Sequence, residues 1–144
     1  MRRDITQLLD GEAHVMKNEH TAFQVSNMDE SLAFYTQKLG LRLISREVNP
    51  AEQEEYAFLE LEGGNLELIQ RLADEPFVRP TIRPPYCPHF AMVTSDMART
   101  EAMIKAAQIP IVKGPLEIAG VETWIYISDP DNNVIEFLQW YKRD

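Results

Sequence analysis

The sequence predicts an α+β protein made of two copies of one module, each a strand, a helix and three further strands. Three observations carry this reading. The first is internal repetition, which sets the architecture before any element is assigned. Shifted by 69 residues, His20-Thr21-Ala22-Phe23 falls on His89-Phe90-Ala91-Met92 and Ser26-Asn27-Met28 on Ser95-Asp96-Met97. The same shift lays Leu66-Glu67-Leu68-Ile69-Gln70 over Ile135-Glu136-Phe137-Leu138-Gln139, keeping the Glu and the Gln with apolar residues at the other three places. The second is periodicity, which runs from alternating to helical and back to alternating in each half. The third is the stretch 72–86, whose Pro76, Pro80, Pro84 and Pro85 cannot donate ladder hydrogen bonds and so separate the two halves.

Taken in order, residues 20–26 alternate as a strand. Met28, Leu32, Phe34, Tyr35 and Leu39 then recur at helical spacing over 28–38, with Gly40 as the stop. Residues 41–48, 56–61 and 65–71 read as three strands, the last two joined by the turn-forming Glu62-Gly63-Gly64. Beyond the linker, 87–94 is a strand and 96–108 a helix that Asp96 is placed to cap. A short edge strand at 110–113 and another strand at 121–128 follow. The last hairpin turns at Asp129-Pro130-Asp131-Asn132-Asn133 before a final strand at 134–141. The expected organisation is an N-terminal extension over 1–18, partly helical, and one domain over 19–144. That domain comprises modules 19–71 and 87–141 joined by the linker 72–86.

Composition bounds the partners. At 144 residues the chain suits one domain able to bury a core without staples. The single cysteine, Cys87, excludes an internal disulfide or a Cys-x-x-Cys pair and fits a reducing compartment. A net charge of −9 repels phosphate backbones and anionic lipid, so nucleic acid is not expected as a partner. No stretch reaches the roughly 18 apolar residues of a membrane span, and no apolar segment follows Arg2-Arg3 as a secretory signal would need. The expectation is a cytoplasmic protein without a membrane partner.

The chemistry falls where the repeat is strongest. On a strand Glu67 shares its face with Asn65, Ile69 and Arg71, and Glu136 shares its face with Val134 and Leu138. A carboxylate flanked by apolar neighbours must replace its lost hydration with a partner, a proton or a metal. His20 and His89 each open a strand. A lone histidine is more often a satisfied core or surface residue, and a strand glutamate usually faces water. Four such residues at corresponding places in two modules point instead to a nitrogen and oxygen ligand set for one divalent ion per site, such as Ni, Zn, Co, Mn or Fe. An octahedral ion so held would keep two positions for water or substrate. His14 has no repeat partner and reads as a surface residue.

These residues resemble the glyoxalase I, bleomycin-resistance and extradiol dioxygenase group, the vicinal oxygen chelate superfamily, over about residues 20–140. The carrying motifs are His20-Thr21-Ala22-Phe23-Gln24-Val25, Ser31-Leu32-Ala33-Phe34-Tyr35 with Leu39-Gly40-Leu41, Leu66-Glu67-Leu68, His89-Phe90-Ala91-Met92 and the run from Asp129 to Phe137. The resemblance implies that the two βαβββ modules form a curved, mostly antiparallel eight-stranded sheet around the metal, commonly in a homodimer. His20, Glu67, His89 and Glu136 match the four-ligand set of glyoxalase I. Extradiol dioxygenases and fosfomycin thiol transferases use three ligands, and methylmalonyl-CoA epimerases usually carry Gln at the place of Glu67.

The activity implied is that of a metal-dependent lyase or isomerase on a small oxygen-chelating substrate, including a thiol adduct such as a hemithioacetal. It would proceed by proton abstraction next to a carbonyl, with Glu136 as the base and Glu67 serving the opposite face of the substrate. Gln24, Arg71 and Trp140 are the expected substrate-binding residues, and Tyr56 or Phe58 could line the apolar end. Glutathione-dependent glyoxalases of this short type tend to carry Arg in place of Gln24 and Asn in place of Arg71, which weakens the case for glutathione. Because the superfamily hosts many reactions, two alternatives stand: a non-catalytic protein that sequesters a drug or other small molecule, and an extradiol-type dioxygenase.

Overall fold

The computed structural model describes residues 16–141. The expected N-terminal helix and His14 lie outside that range, except that 16–18 carry no regular element. The strands are β1 (His20–Gln24), β2 (Arg42–Asn49), β3 (Glu54–Glu60), β4 (Asn65–Arg71), β5 (His89–Val93), β6 (Ile111–Ile118), β7 (Glu122–Ser128) and β8 (Val134–Trp140). The helices are α1 (Met28–Ala33), which continues into a wider π-helical turn at Phe34–Lys38, and α2 (Met97–Ala106). The strands form two mixed four-stranded sheets of identical order, β1-β4-β3-β2 and β5-β8-β7-β6. In each, the first strand runs parallel to the fourth and the other pairings are antiparallel. The register repeats as well: Ala22 pairs with Glu67, and Ala91 with Glu136.

Strand alternation divides each sheet into an apolar face under the helices and a mixed face opposite. On the helix side Phe23, Ala57, Leu59, Leu66 and Leu68 pack with Met28, Leu32, Phe34 and Tyr35. The second module packs Met97 and Ile104 on Ile125, Ile127, Ile135 and Phe137, and the two sets form one continuous core. Burying a leucine such as Leu66 or Leu68 contributes roughly 1.5–3 kcal/mol. The glutamines that the repeat preserves have one job in both modules. Gln70 Oε1 accepts from Met28 N (2.7 Å) and Gln139 Oε1 from Met97 N (2.8 Å), satisfying the first amide of each helix. Asn27 and Asp96 cap the same turns by accepting from Glu30 N and Arg99 N.

The halves are fastened by the loop after β7. Asp131 accepts from Ser26 N (2.9 Å) and Ser26 Oγ (2.6 Å), Asp129 accepts from the Tyr35 hydroxyl (2.8 Å), and Asn133 Nδ2 donates to Gln24 O (3.0 Å). Phe23 and Phe90 meet beside it with ring centroids 5.5 Å apart. A segment that reads as a turn is therefore also the join between modules.

Two elements depart from the sequence expectation. The helix over 28–38 has the expected span, but Leu39 N bonds to Phe34 O, five residues back, instead of four. Adjacent Phe34 and Tyr35 are both buried on this widened turn. Strand β6 runs to Ile118 rather than stopping at Lys113. Gly114 and Pro115 look like breakers, yet β6 is an edge strand whose register shifts between Lys113 and Leu116. A bulge at an edge tolerates proline, because an amide missing there breaks no ladder.

Gly114 has φ +112, and an added Cβ would stand 2.9 Å from Trp124 O and 3.1 Å from Ile125 Cα, both backbone atoms. Gly114→Ala is expected to cost about 2–3 kcal/mol through positive-φ strain and this crowding. Urea unfolding of the variant and wild type checks the figure.

Candidate functional site

The non-helical face of each sheet brings one imidazole against a carboxylate. His20 opens β1 and Glu67 lies mid-β4, two pairs further along the parallel ladder and so on the same face, which brings His20 Nε2 within 3.5 Å of Glu67 Oε1. His89 and Glu136 repeat this on β5 and β8, with Nε2 3.2 Å from Oε2. Both carboxylates are mostly covered, the Glu67 and Glu136 side chains being 15% and 14% exposed. Burial pushes the Glu136 carboxyl above its ordinary range, and the neighbouring His89 works against that rise.

The far side of each ring is also engaged. His20 Nδ1 lies 2.8 Å from Glu19 Oε1, and His89 Nδ1 lies 2.9 Å from Tyr86 O. Ionised carboxylates and backbone carbonyls only accept, so these two contacts favour a proton on each Nδ1. In a neutral ring this leaves Nε2 as a bare lone pair facing a carboxylate oxygen. Two acceptors 3.2–3.5 Å apart repel unless a proton or a cation lies between them. An imidazole nitrogen and a carboxylate oxygen with the second ring nitrogen tied down form a donor set that fits a divalent ion.

Within one chain the four expected ligands stand as two separate pairs. Among the described residues, no three His, Cys, Asp or Glu side chains converge closely enough to hold a metal ion.

The expected substrate residues lie further along the same strands. Gln24 ends β1 and Arg71 ends β4, and both line a shallow cleft of about 90 Å³ with Glu75 and Phe77. Arg71 is paired there with Glu75 at 2.9 Å. Trp140 ends β8, opposite Glu122 on β7. Phe58 stands edge-on to His20, with centroids 5.5 Å apart at 88°, and Tyr56 donates its hydroxyl to Glu47.

Sequence reasoning missed Tyr126 and Tyr86. Tyr126 stands 5.4 Å from His89 at 70°, as Phe58 stands to His20, and Tyr86 packs on it at 4.9 Å. Phe58 pairs with Glu67 and Tyr126 with Glu136, so the two rings hold equivalent places. Phe58 is nine residues before its glutamate and Tyr126 ten before its own, and this one-residue slip hid the match from a gapless shift. Alternation along β7, counted back from Ser128, was the signal that could have found it. Burial, with Glu136 nearby, pushes the Tyr126 phenol above its ordinary range.

Fold and site together define a class: a doubled βαβββ protein with one imidazole–carboxylate pair on the open face of each module. The family profile described as Glyoxalase/Bleomycin resistance protein/Dioxygenase superfamily matches residues 17–137, and the chain belongs to that superfamily. It is 30% identical over 125 residues to a probable lactoylglutathione lyase of Vibrio cholerae, covering 83% of this chain and 88% of the relative. It is 28% identical to the lactoylglutathione lyase of Haemophilus influenzae, covering 83% and 90%. A probable chloroplastic lactoylglutathione lyase of Arabidopsis thaliana is 28% identical, and the chain spans 35% of its length. Among solved structures, the trypanothione-dependent glyoxalase I of Leishmania major superposes with a TM-score of 0.67 at 22% identity, covering 87% of each chain. A glyoxalase family protein of Bacillus cereus gives a TM-score of 0.73 at 13% identity, covering 91% of this chain and 98% of that one. These likenesses support the same fold.

Proposed function

We propose that this protein is a metal-dependent lyase or isomerase of the glyoxalase I type, acting on a small substrate with two adjacent oxygens, such as a hemithioacetal. One observation carries the reading: each module brings an imidazole Nε2 to 3.2–3.5 Å from a covered carboxylate, in the same register. His20, Glu67, His89 and Glu136 would hold the ion. When bound, a divalent ion supplies Lewis acidity that stabilises negative charge on substrate oxygens. The Glu136 carboxylate takes the proton from the carbon beside the carbonyl and returns it to the neighbouring carbon. Glu67 offers the same service on the opposite face. Gln24 and Arg71 would receive the polar end of the substrate, with Arg71 giving up Glu75 to do so, and Trp140 would close the apolar end.

Because the two pairs do not converge in one chain, the complete set is proposed to form in a homodimer, the His20–Glu67 pair of one protomer meeting the His89–Glu136 pair of the other. This makes a sharp expectation. His20→Ala and His89→Ala should each be inactive alone. Refolded as an equal mixture, they should regain about a quarter of wild-type activity, since half the dimers are mixed and each mixed dimer carries one intact site. Sites built within single chains would regain nothing.

The reaction is tested by loading the protein separately with Ni, Zn, Co and Mn and assaying each form against methylglyoxal with several thiols. Uptake of about one ion per chain, lost in His20→Ala, together with turnover by at least one form, is the expected result. Tight binding of substrate without turnover by any form would identify a sequestering protein instead. Oxygen uptake with catechols in the Fe(II) form would identify a ring-cleaving enzyme.

A further inference from the structure

The two histidines are held from behind by different groups. For His89 the acceptor is a neutral backbone carbonyl, Tyr86 O. For His20 it is the Glu19 carboxylate, a full charge on the adjacent residue, with its oxygen 2.8 Å from Nδ1 and its side chain 76% exposed. The repeat explains why the second module cannot copy this: the place equivalent to Glu19 is Pro88, which has no acceptor on its side chain. Glu19 is also anchored. Its carbonyl accepts from Asn65 N at 2.9 Å, tying its backbone to β4, the strand that carries Glu67. Glu19, the His20 ring and Glu67 therefore form a line of carboxylate, imidazole and carboxylate braced at both ends by one strand.

We infer that Glu19 is a positioning residue for His20, holding the ring with Nδ1 protonated and Nε2 bare toward Glu67. An imidazole in water favours the opposite tautomer, with the proton on Nε2, which would block that nitrogen as a donor to a cation. A charged acceptor at Nδ1 both reverses the preference and makes Nε2 more electron-rich, as outer partners of metal-binding histidines do. The two half-sites are then electronically unlike, His20 being the stronger donor. The part of this inference that concerns a cation rests on the proposed function; the part that concerns the tautomer does not.

The test uses the full chain without metal, labelled with ¹⁵N and observed by NMR at alkaline pH, where an ordinary imidazole is neutral. The His20 ring should show the Nδ1–H tautomer in wild type and in Glu19→Gln, whose amide oxygen still accepts. In Glu19→Ala it should pass largely to Nε2–H, with His89 unchanged as the internal control. Competition with a chromophoric chelator should show divalent-ion affinity falling about 10–100-fold in Glu19→Ala and less in Glu19→Gln. A His20 ring that keeps its Nδ1 proton in Glu19→Ala overturns the inference, as does an unchanged affinity in a wild-type protein that binds the ion. Wild-type protein that takes up no ion overturns the proposed function instead, and the tautomer comparison still decides the role of Glu19.

Discussion

Replacing Glu136 by glutamine is expected to lower kcat by about 10²–10⁴-fold, the range that a positioned acid–base group contributes. The amide keeps the shape and one oxygen donor of the carboxylate but cannot take a proton. Divalent-ion affinity should therefore fall far less than turnover, and the contrast between chelator competition and steady-state rate separates a base from a simple ligand. Folding should be little affected, within about 1 kcal/mol, because the side chain lies on the mixed face and its ion pair among the described residues is with His89. Glu67→Gln is the companion measurement. A glyoxalase-type site loses its mirror base in that variant and changes its handling of the opposite substrate face, whereas a dioxygenase, which has no use for a fourth ligand, would keep full activity. Equal turnover in wild type and Glu136→Gln would remove Glu136 from the chemistry.

Asp129→Ala is expected to be the most destabilising single change away from the site, at about 3–5 kcal/mol. The carboxylate is 2% exposed and accepts from the Tyr35 hydroxyl, Asn133 Nδ2 and the backbone amides of Asp131 and Asn133. Its removal strands the Tyr35 hydroxyl, on a side chain with no exposure, together with two loop amides, each costing roughly 1–3 kcal/mol when left unpaired. Chemical denaturation measures the loss, and Asp129→Asn, which keeps one acceptor for the amides, should lose less.

The pH dependence has a definite sign. Burial raises the Asp129 carboxyl above its ordinary value, although hydrogen bonds from Asn133 and Tyr35 oppose the rise. Between the ordinary and the raised value the folded chain binds more protons than the unfolded chain, so this residue's contribution to stability grows as pH falls through that window. The stability gap between wild type and Asp129→Asn should widen toward acid there. A gap that narrows instead would show that the hydrogen bonds, which favour the charged form, outweigh burial.

Much of this is legible in the sequence. The offset repeat identified His20 with His89 and Glu67 with Glu136. Strand alternation put Leu66 and Leu68 on the opposite face from Glu67, and the span of β4 agrees with the reading residue for residue. Asp96 caps α2 as its place ahead of the helical pattern implied. These features are local: periodicity, a cap and a turn are set by side chains within a few positions of one another, so the chain displays them in order.

Other features depend on partners far along the chain. The extension of β6 through Gly114 and Pro115 depended on its being an edge strand, which the order of the sheet decides. Tyr126 took the place of Phe58 only through a one-residue slip in pairing. The acidic turn at Asp129 and Asp131 became the join to Tyr35 and Ser26, about 100 residues away in sequence.

The sequence by itself determined the doubled module, the faces of its strands and the four candidate donor side chains. Only the tertiary structure decided that those donors stand as two pairs, with Glu19 and the Tyr86 carbonyl behind the rings. A strand's own alternation sets which way a side chain points. Which atom it meets depends on the register and packing of distant segments, where a shift of one residue exchanges every neighbour.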